Sequence, residues 1–247
     1  MLILVRIVAA VTVAAGVFLW ARYLLLRQRT YGPRLIASFP QNAAWWQEYG
    51  ERPGELLYVA IGDSTAQGIG ASAPFRSYVG EIAKHVHETT GKTVRVVNLG
   101  VSGATIYGAY TAQLPQIAAL EPDILTVMIG ANNIAAFDET AFERDLRRLY
   151  TQLPDTAIVS DVPSFYLPPR ETRVRAANRI LHRLAAERGF ETVVPLYRVS
   201  RRQGAWGMMT QFAGDLFHPN DRGYTAWARA FFPPVDAALR RRDGGSA

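Results

Sequence analysis

Apolar positions recur along this chain with two alternating periods. Short apolar runs, LLYVAIG at 56–62, TVRVV within 93–99, DILTV within 123–129 and further segments at 156–162 and 191–197, have the length and branched-residue content of buried strands. Between them the period changes to the helical one. Over 76–90, Val79, Ile82, Ala83 and Val86 fall at i, i+3, i+4 and i+7, and further helices are predicted near 107–120, 139–152, 171–188 and 221–241. Strict alternation of strand and helix predicts an α/β protein, a three-layer α/β/α sandwich whose roughly five-stranded parallel sheet is covered on both faces. Residues 163–170 and 198–214 stand outside the alternation, and the glycines of the second segment mark it as a loop.

The amino terminus breaks the pattern. From Ile7 to Trp20 there is no charge, and with Leu2–Val5 and Tyr23–Leu26 the apolar stretch reaches the ~20 residues that span a bilayer. Arg6 and Arg22 near its ends can snorkel to head groups, and Trp20 and Tyr23 suit the membrane interface. A helix apolar on every face has no place beside a complete sandwich. Cleavage as a signal peptide fits poorly, because Val13-Ala14-Ala15 lies too early in the apolar core and no small-residue site follows before Asn42-Ala43-Ala44. Residues 1–26 are therefore expected to be a retained single-helix membrane anchor. Residues 27–55 are expected to be a tether whose Trp45, Trp46 and Tyr49 dock on the fold, and residues 56–242 one globular domain.

Charge supports the division. The formal net charge of +6 invites a nucleic-acid reading, yet residues 1–34 hold Arg6, Arg22, Arg27, Arg29 and Arg34 and no acid, leaving 22 basic against 21 acidic residues in the rest. The surplus flanks the apolar segment, as suits anionic lipid, and no nucleic-acid partner is expected. Arg240, Arg241 and Arg242 read as a solvated helix end. Absence of cysteine shows only that no disulfide is used.

Chemistry enters at the end of the first strand. Gly62-Asp63-Ser64 is answered near the other end of the chain by Asp215 and His218, three residues apart. A serine hydroxyl is a weak nucleophile unless an imidazole takes its proton and a carboxylate fixes the imidazole tautomer. NLGVSGATI (98–106) and MIGANNI (128–134) each follow a strand, so Gly103 and Asn132 belong at the same sheet edge as Ser64. A bare backbone N–H at Gly103 and an amide at Asn132 are the kind of donors that hold an oxyanion.

These four blocks together resemble the SGNH, or GDSL-type, hydrolase superfamily over roughly residues 56–235. The resemblance implies a flavodoxin-like SGNH fold, with Ser64 as nucleophile, Asp215 and His218 as its acid and base partners, and Ser64, Gly103 and Asn132 as the oxyanion hole. Two residues depart from the family pattern: Thr65 stands where leucine is expected, and Asn133 where aspartate is common, which bears on the support of that loop. The implied activity is hydrolysis of carboxylic esters, lipid-like or small acyl esters and thioesters, with no metal or organic cofactor. An O-deacetylase of carbohydrate or cell-wall polymers would use the same site, and an inactive membrane-tethered binding module is the remaining alternative. Trp206, Met208, Met209 and Phe212, apolar residues on the expected 198–214 loop, are candidate acyl-chain contacts or a satellite cluster under the loop. The arginine count around the span favours a cytoplasmic domain, whereas many anchored members of the resembled family look exported, so both sides of the membrane stay open.

Other motifs fail on particular residues. Position 66 is alanine, so the G-x-S-x-G elbow is absent; Gly68-Ile69-Gly70 comes too late for a dinucleotide turn, and no P-loop lysine follows. His85 and His87, about 200° apart on a helix, do not make a metal pair and are expected, like His182, to be solvated. Asp161 is expected to cap a loop.

Overall fold

The computed structural model describes residues 2–244. Five parallel strands form one sheet in the order β2-β1-β3-β4-β5: β1 Leu56–Gly62, β2 Val94–Asn98, β3 Ile124–Met128, β4 Ile158–Ser160 and β5 Val193–Val194. Successive side chains of a strand point to opposite faces, and the core divides accordingly. Val59 and Ile61 of β1 join one cluster, with Leu125, Val127 and Val159; Leu56, Tyr58 and Ala60 join the other, with Ile124, Met128 and Ile158. The first face is covered by α4 (Glu139–Gln152) and α5 (Arg170–Arg188), through Phe142, Leu146, Leu181 and Leu184. The second is covered by α2 (Tyr78–Thr90) and α7 (Asp221–Gly244), through Ile82, Val86, Tyr224 and Phe231. This is the expected three-layer sandwich. Val79, Ile82, Ala83 and Val86 are all buried, as their spacing requires.

Three segments differ from expectation. The helix expected near 107–120 is broken: α3 (Ile106–Gly108) passes into a wide turn over Ala109–Gln113 and a tight one over Leu114–Ala119, where Pro115 has no N–H for a regular helix. The 198–214 segment is helical as far as Thr210, and only 211–214 lie outside a helix. Leu196–Thr210 forms α6, whose start is fixed by the buried Asp161 carboxylate accepting the Tyr197 N–H at 2.7 Å. The glycines that suggest a loop serve instead as a kink at Gly204, with φ 54°, and as a helical position at Gly207.

The third difference is the tether. Helix α1 runs from Leu2 to Gly50 through Pro33 and Pro40. Proline inside a helix loses a backbone hydrogen bond, and what offsets that here is packing on the domain. Leu35 and Trp46 are buried; Trp46 meets Tyr49 and Phe75 at ring distances of 5.7 and 6.2 Å and donates its indole N–H to Gln67 O at 3.2 Å. Residues 27–50 are thus continuous helix whose second half belongs to the globular unit.

His85 also differs from the solvated reading. Its ring stacks on Phe232 at 3.8 Å and its Nε2 lies 2.8 Å from Asp236 Oδ1, joining α2 to α7.

A test of the helix as part of the core is Trp46→Ala in the full detergent-solubilised chain. Truncating a buried tryptophan costs about 3–5 kcal/mol, and at about 2–4 °C per kcal/mol for a domain of this size the melting temperature should fall by roughly 10 °C. An unchanged melting temperature would mean the segment is only a tether.

Candidate active site

Strand order reverses around β1, which has β2 on one side and β3 on the other, so a crevice opens outside their carboxyl ends. Ser64 stands there, two residues beyond β1 and 4% exposed. The chain turns sharply after it: Ala66 N donates to Asp63 O at 3.1 Å and Ile69 N to Ser64 O at 3.0 Å. The Asp63 carboxylate, fully buried, accepts both the backbone N–H (2.9 Å) and the hydroxyl (2.7 Å) of Thr65. Thr65, one of the two departures from the family pattern, therefore closes the Ser64 turn with its hydroxyl. Burial pushes the Asp63 carboxyl above its ordinary pKa, and the Thr65 hydrogen bonds offset only part of that.

His218 comes from the short connection between α6 and α7. Its Nε2 lies 2.8 Å from Ser64 Oγ and its Nδ1 2.5 Å from Asp215 Oδ2, giving a continuous hydroxyl–imidazole–carboxylate chain. The other Asp215 oxygen accepts the backbone N–H groups of Phe217 and His218, each at 3.1 Å, which fixes the carboxylate in one orientation. Burial alone would raise the Asp215 pKa; the hydrogen bond and charge of His218, with the two backbone donors, outweigh it and hold the carboxyl below the usual value. Asn220 locks the same connection by donating to Thr210 O (2.9 Å) and Phe212 O (3.1 Å), while its Oδ1 accepts Arg222 N and Gly223 N at the start of α7.

The loops after β2 and β3 are joined to each other. Asn132 donates one amide hydrogen to Ala104 O at 2.9 Å, which leaves its second N–H for a ligand. Asn133, the other departure from the pattern, accepts Ile106 N at 3.1 Å and so braces the loop that carries Gly103. Gly103 has φ 82°, a conformation that favours glycine, with open space where a side chain would be. Asn132 and Ser64 line one cavity of about 750 Å³; Gly103 stands outside its lining.

Met208, Met209 and Phe212 line that cavity, as do Phe165, Leu216 and Phe217. Trp206 does not; it is 69% exposed on α6. The opposite wall, residues 163–170, is organised by Glu171, whose buried carboxylate accepts Ser164 Oγ (2.9 Å), Phe165 N (3.0 Å), Tyr166 N (3.1 Å) and Tyr197 Oη (2.7 Å). Burial raises the Glu171 pKa, but these donors carry it below its ordinary value. His182 Nε2 lies 3.3 Å from Asp161, outside the cavity lining.

Sequence reasoning missed several positioning residues. Gln113 clamps the end of β1, its Oε1 accepting Gly62 N at 3.0 Å and its Nε2 donating to Gly62 O at 2.9 Å. Gln67 links Ser102 Oγ, at 2.5 Å, to the nucleophile turn, and its carbonyl takes donors from both Asn42 (2.9 Å) and Trp46 of α1. Gln113 stands with Gln116 in a mostly apolar stretch, and nothing in the sequence marked its partner.

Comparisons with known proteins identify the family and the fold. The profile of the GDSL-like Lipase/Acylhydrolase family matches residues 60–226, more than half of the chain. A GDSL-like esterase of Mycobacterium tuberculosis, Rv1075c, is 26% identical over 254 residues, covering 91% of this chain and 80% of that protein. Among solved structures, an acetyl xylan esterase, AlAXEase, superposes with a TM-score of 0.62 at 17% identity, over 73% of this chain and 100% of its own. The lipase/acylhydrolase of Enterococcus faecalis gives 0.62 at 19% identity, over 75% and 96%. The matched profile runs from within β1 into α7, over more than half of the chain, so the chain belongs to the GDSL-like lipase/acylhydrolase family of carboxylic ester hydrolases.

Proposed function

We propose that the protein cleaves carboxylic esters through an acyl-enzyme on Ser64. The observation that carries this reading is the unbroken chain from Ser64 Oγ through His218 to Asp215. Ser64 Oγ bonds to the ester carbonyl carbon while His218 Nε2 takes its proton; Asp215 holds the Nδ1–H and steadies the imidazolium. The negative charge that develops on the carbonyl oxygen is met by the Ser64 and Gly103 N–H groups and the free amide hydrogen of Asn132. The tetrahedral intermediate collapses, the C–O bond to the alcohol breaks, and the alcohol leaves with the proton from His218. Water then attacks the acyl-enzyme with the same base, releasing the acid and restoring Ser64 Oγ–H.

The cavity favours an apolar acyl group. Apolar side chains predominate in its lining, among them Met208, Met209, Phe165, Phe212 and Phe217, alongside the polar Asn132, Ser164, Tyr166 and Arg170. Lipid-like and medium-chain acyl esters are therefore the substrates, with thioesters in the same class, and α1 stays attached as the anchor that brings the domain to the membrane.

Fluorophosphonate labelling of the full chain in detergent should disappear in Ser64→Ala, together with ester turnover; a labelled Ser64→Ala would place the nucleophile elsewhere. Asn132→Ala should lower kcat by about 10²–10³, and a wild-type rate would remove it from the oxyanion site. Asp215→Asn should lower kcat by about 10⁴ through the wrong imidazole tautomer. Across p-nitrophenyl esters of rising chain length, kcat/KM should increase from acetate towards medium chains. A maximum at acetate would instead favour the O-deacetylase reading.

A further inference from the structure

The candidate membrane span, Arg6–Tyr23, ends on two aromatic residues that are also walls of the ester cavity. Trp20 and Tyr23 are 48% and 59% exposed, and both line the space that holds Ser64. Aromatic residues at the end of a span sit at the level of the lipid head groups. The helix continues from this point to Gly50, through Pro33 and Pro40, so span and domain are joined by one helical element.

The same helix is built into the His218 region further along. Gly214, next to Asp215, has no side chain because the Tyr31 ring occupies that position. The Phe39 ring stands edge-on to the His218 ring at 6.5 Å, and Asn42 and Trp46 both donate to Gln67 O in the Ser64 turn. On the other side of the cavity, Leu167 and Met209 line it while being 65% and 51% exposed, and Trp206 of the same helix is 69% exposed. Leu167 and Met209 thus share the cavity lining with Trp20 and Tyr23 at the end of the span, all four of them exposed. A large exposed apolar rim needs a partner, and continuity with the span identifies it as lipid.

Taking the ester-hydrolase reading as its basis, we propose that α1 is a wall of the substrate site as well as an anchor. The substrate is a membrane-resident acyl ester, whose acyl chain slides from the bilayer along Trp20 and Tyr23, past Leu167 and Met209, to place its carbonyl at Ser64. Specificity for such substrates over water-soluble esters then depends on the two aromatic residues of the span.

The test uses the full chain reconstituted in phosphatidylcholine vesicles that contain a fluorogenic long-chain acyl ester, with p-nitrophenyl acetate in the same buffer as the soluble ester. In Trp20→Ala/Tyr23→Ala the ratio of vesicle-ester to acetate turnover should fall at least tenfold, and Trp20→Phe/Tyr23→Phe should restore it. A ratio within twofold of wild type, or equal losses on both esters, would overturn the proposal. Should the alanine pair fail to insert, Leu167→Asp and Met209→Asp charge the rim from the domain side, and the same tenfold fall or its absence decides. Failure of the underlying reading has a different signature: neither ester is turned over by wild type, and Ser64 takes no fluorophosphonate.

Discussion

The 2.8 Å contact between Ser64 Oγ and His218 Nε2 joins groups 154 residues apart, and the rest of the molecule is arranged so that it can be made. Its two ends are not positioned independently. Ser72, at the far end of the turn that begins at Ser64, gives its backbone N–H (2.7 Å) and hydroxyl (2.6 Å) to the carboxylate of Asp221, the first residue of α7. Tyr224, one turn later, donates its buried hydroxyl to Ile69 O at 2.6 Å. Between these clamps Gly70 lets the two segments touch: a side chain there would come within 2.9 Å of His218 Cβ and 2.5 Å of Pro219 O. The nucleophile turn is thus the surface on which the histidine loop rests, and the separation is fixed over a few residues instead of across the whole sheet.

Burial makes this arrangement demanding. Asp63, Ser64 and His218 are each less than a tenth exposed, and a buried polar group without a partner costs more than the same group in water. Every one of them has partners, and Asp63 and Asp215 accept hydrogen bonds from residues two and three positions away. Short-range partners keep the hydrogen-bond geometry intact when the larger elements shift slightly. Asp215 combines the histidine with two backbone donors, which is why its carboxyl stays below its ordinary pKa despite burial, whereas Asp63, with Thr65 as its hydrogen-bond donor, does not.

How much of this could be read from the sequence follows from where the stabilising partners lie. The sheet, α2, α4, α5 and the placement of Ser64 at a strand end were legible because they depend on periodicity and on signals a few residues long. The Thr65 and Asn133 departures were visible too, and each has a local explanation in a hydrogen bond, to Asp63 and to Ile106 N. What was not legible depends on distant partners. Gln113 reaches Gly62 across 51 residues, and Gln67 is met by Asn42 across 25. Tertiary packing also overrode local preference in both directions. Pro33 and Pro40 remain inside α1 because Leu35, Phe39 and Trp46 have a surface to pack on, and α6 starts where Asp161 secures its first turn and continues past a kink at Gly204. In each case the residue-by-residue preference was real, and an interaction from another element outweighed it.

The continuity of α1 changes what an apolar cavity has to accomplish. An acyl chain that leaves a bilayer for water loses about 0.8 kcal/mol for each methylene, so ten methylenes amount to roughly 8 kcal/mol, the whole binding energy of a micromolar complex. A cavity that receives the chain directly from lipid avoids this loss, and by the same balance gains little from enclosing the chain, because hydrocarbon is exchanged for hydrocarbon. Its apolar lining then serves to keep water out and the chain aligned, while the energy that distinguishes the reacting state has to come from the polar groups at its inner end. Those groups, the Ser64 turn, the Asn132 amide and the His218–Asp215 pair, are each held in place by hydrogen bonds: Thr65 N–H and hydroxyl to Asp63, Asn132 to Ala104 O, and His218 with two backbone N–H groups to Asp215. On the proposed reading, fixed polar geometry at the carbonyl and an apolar passage towards the membrane complement each other, and α1 touches both, through Trp20 and Tyr23 in the cavity lining and through Phe39 and Trp46 beside His218 and the Ser64 turn.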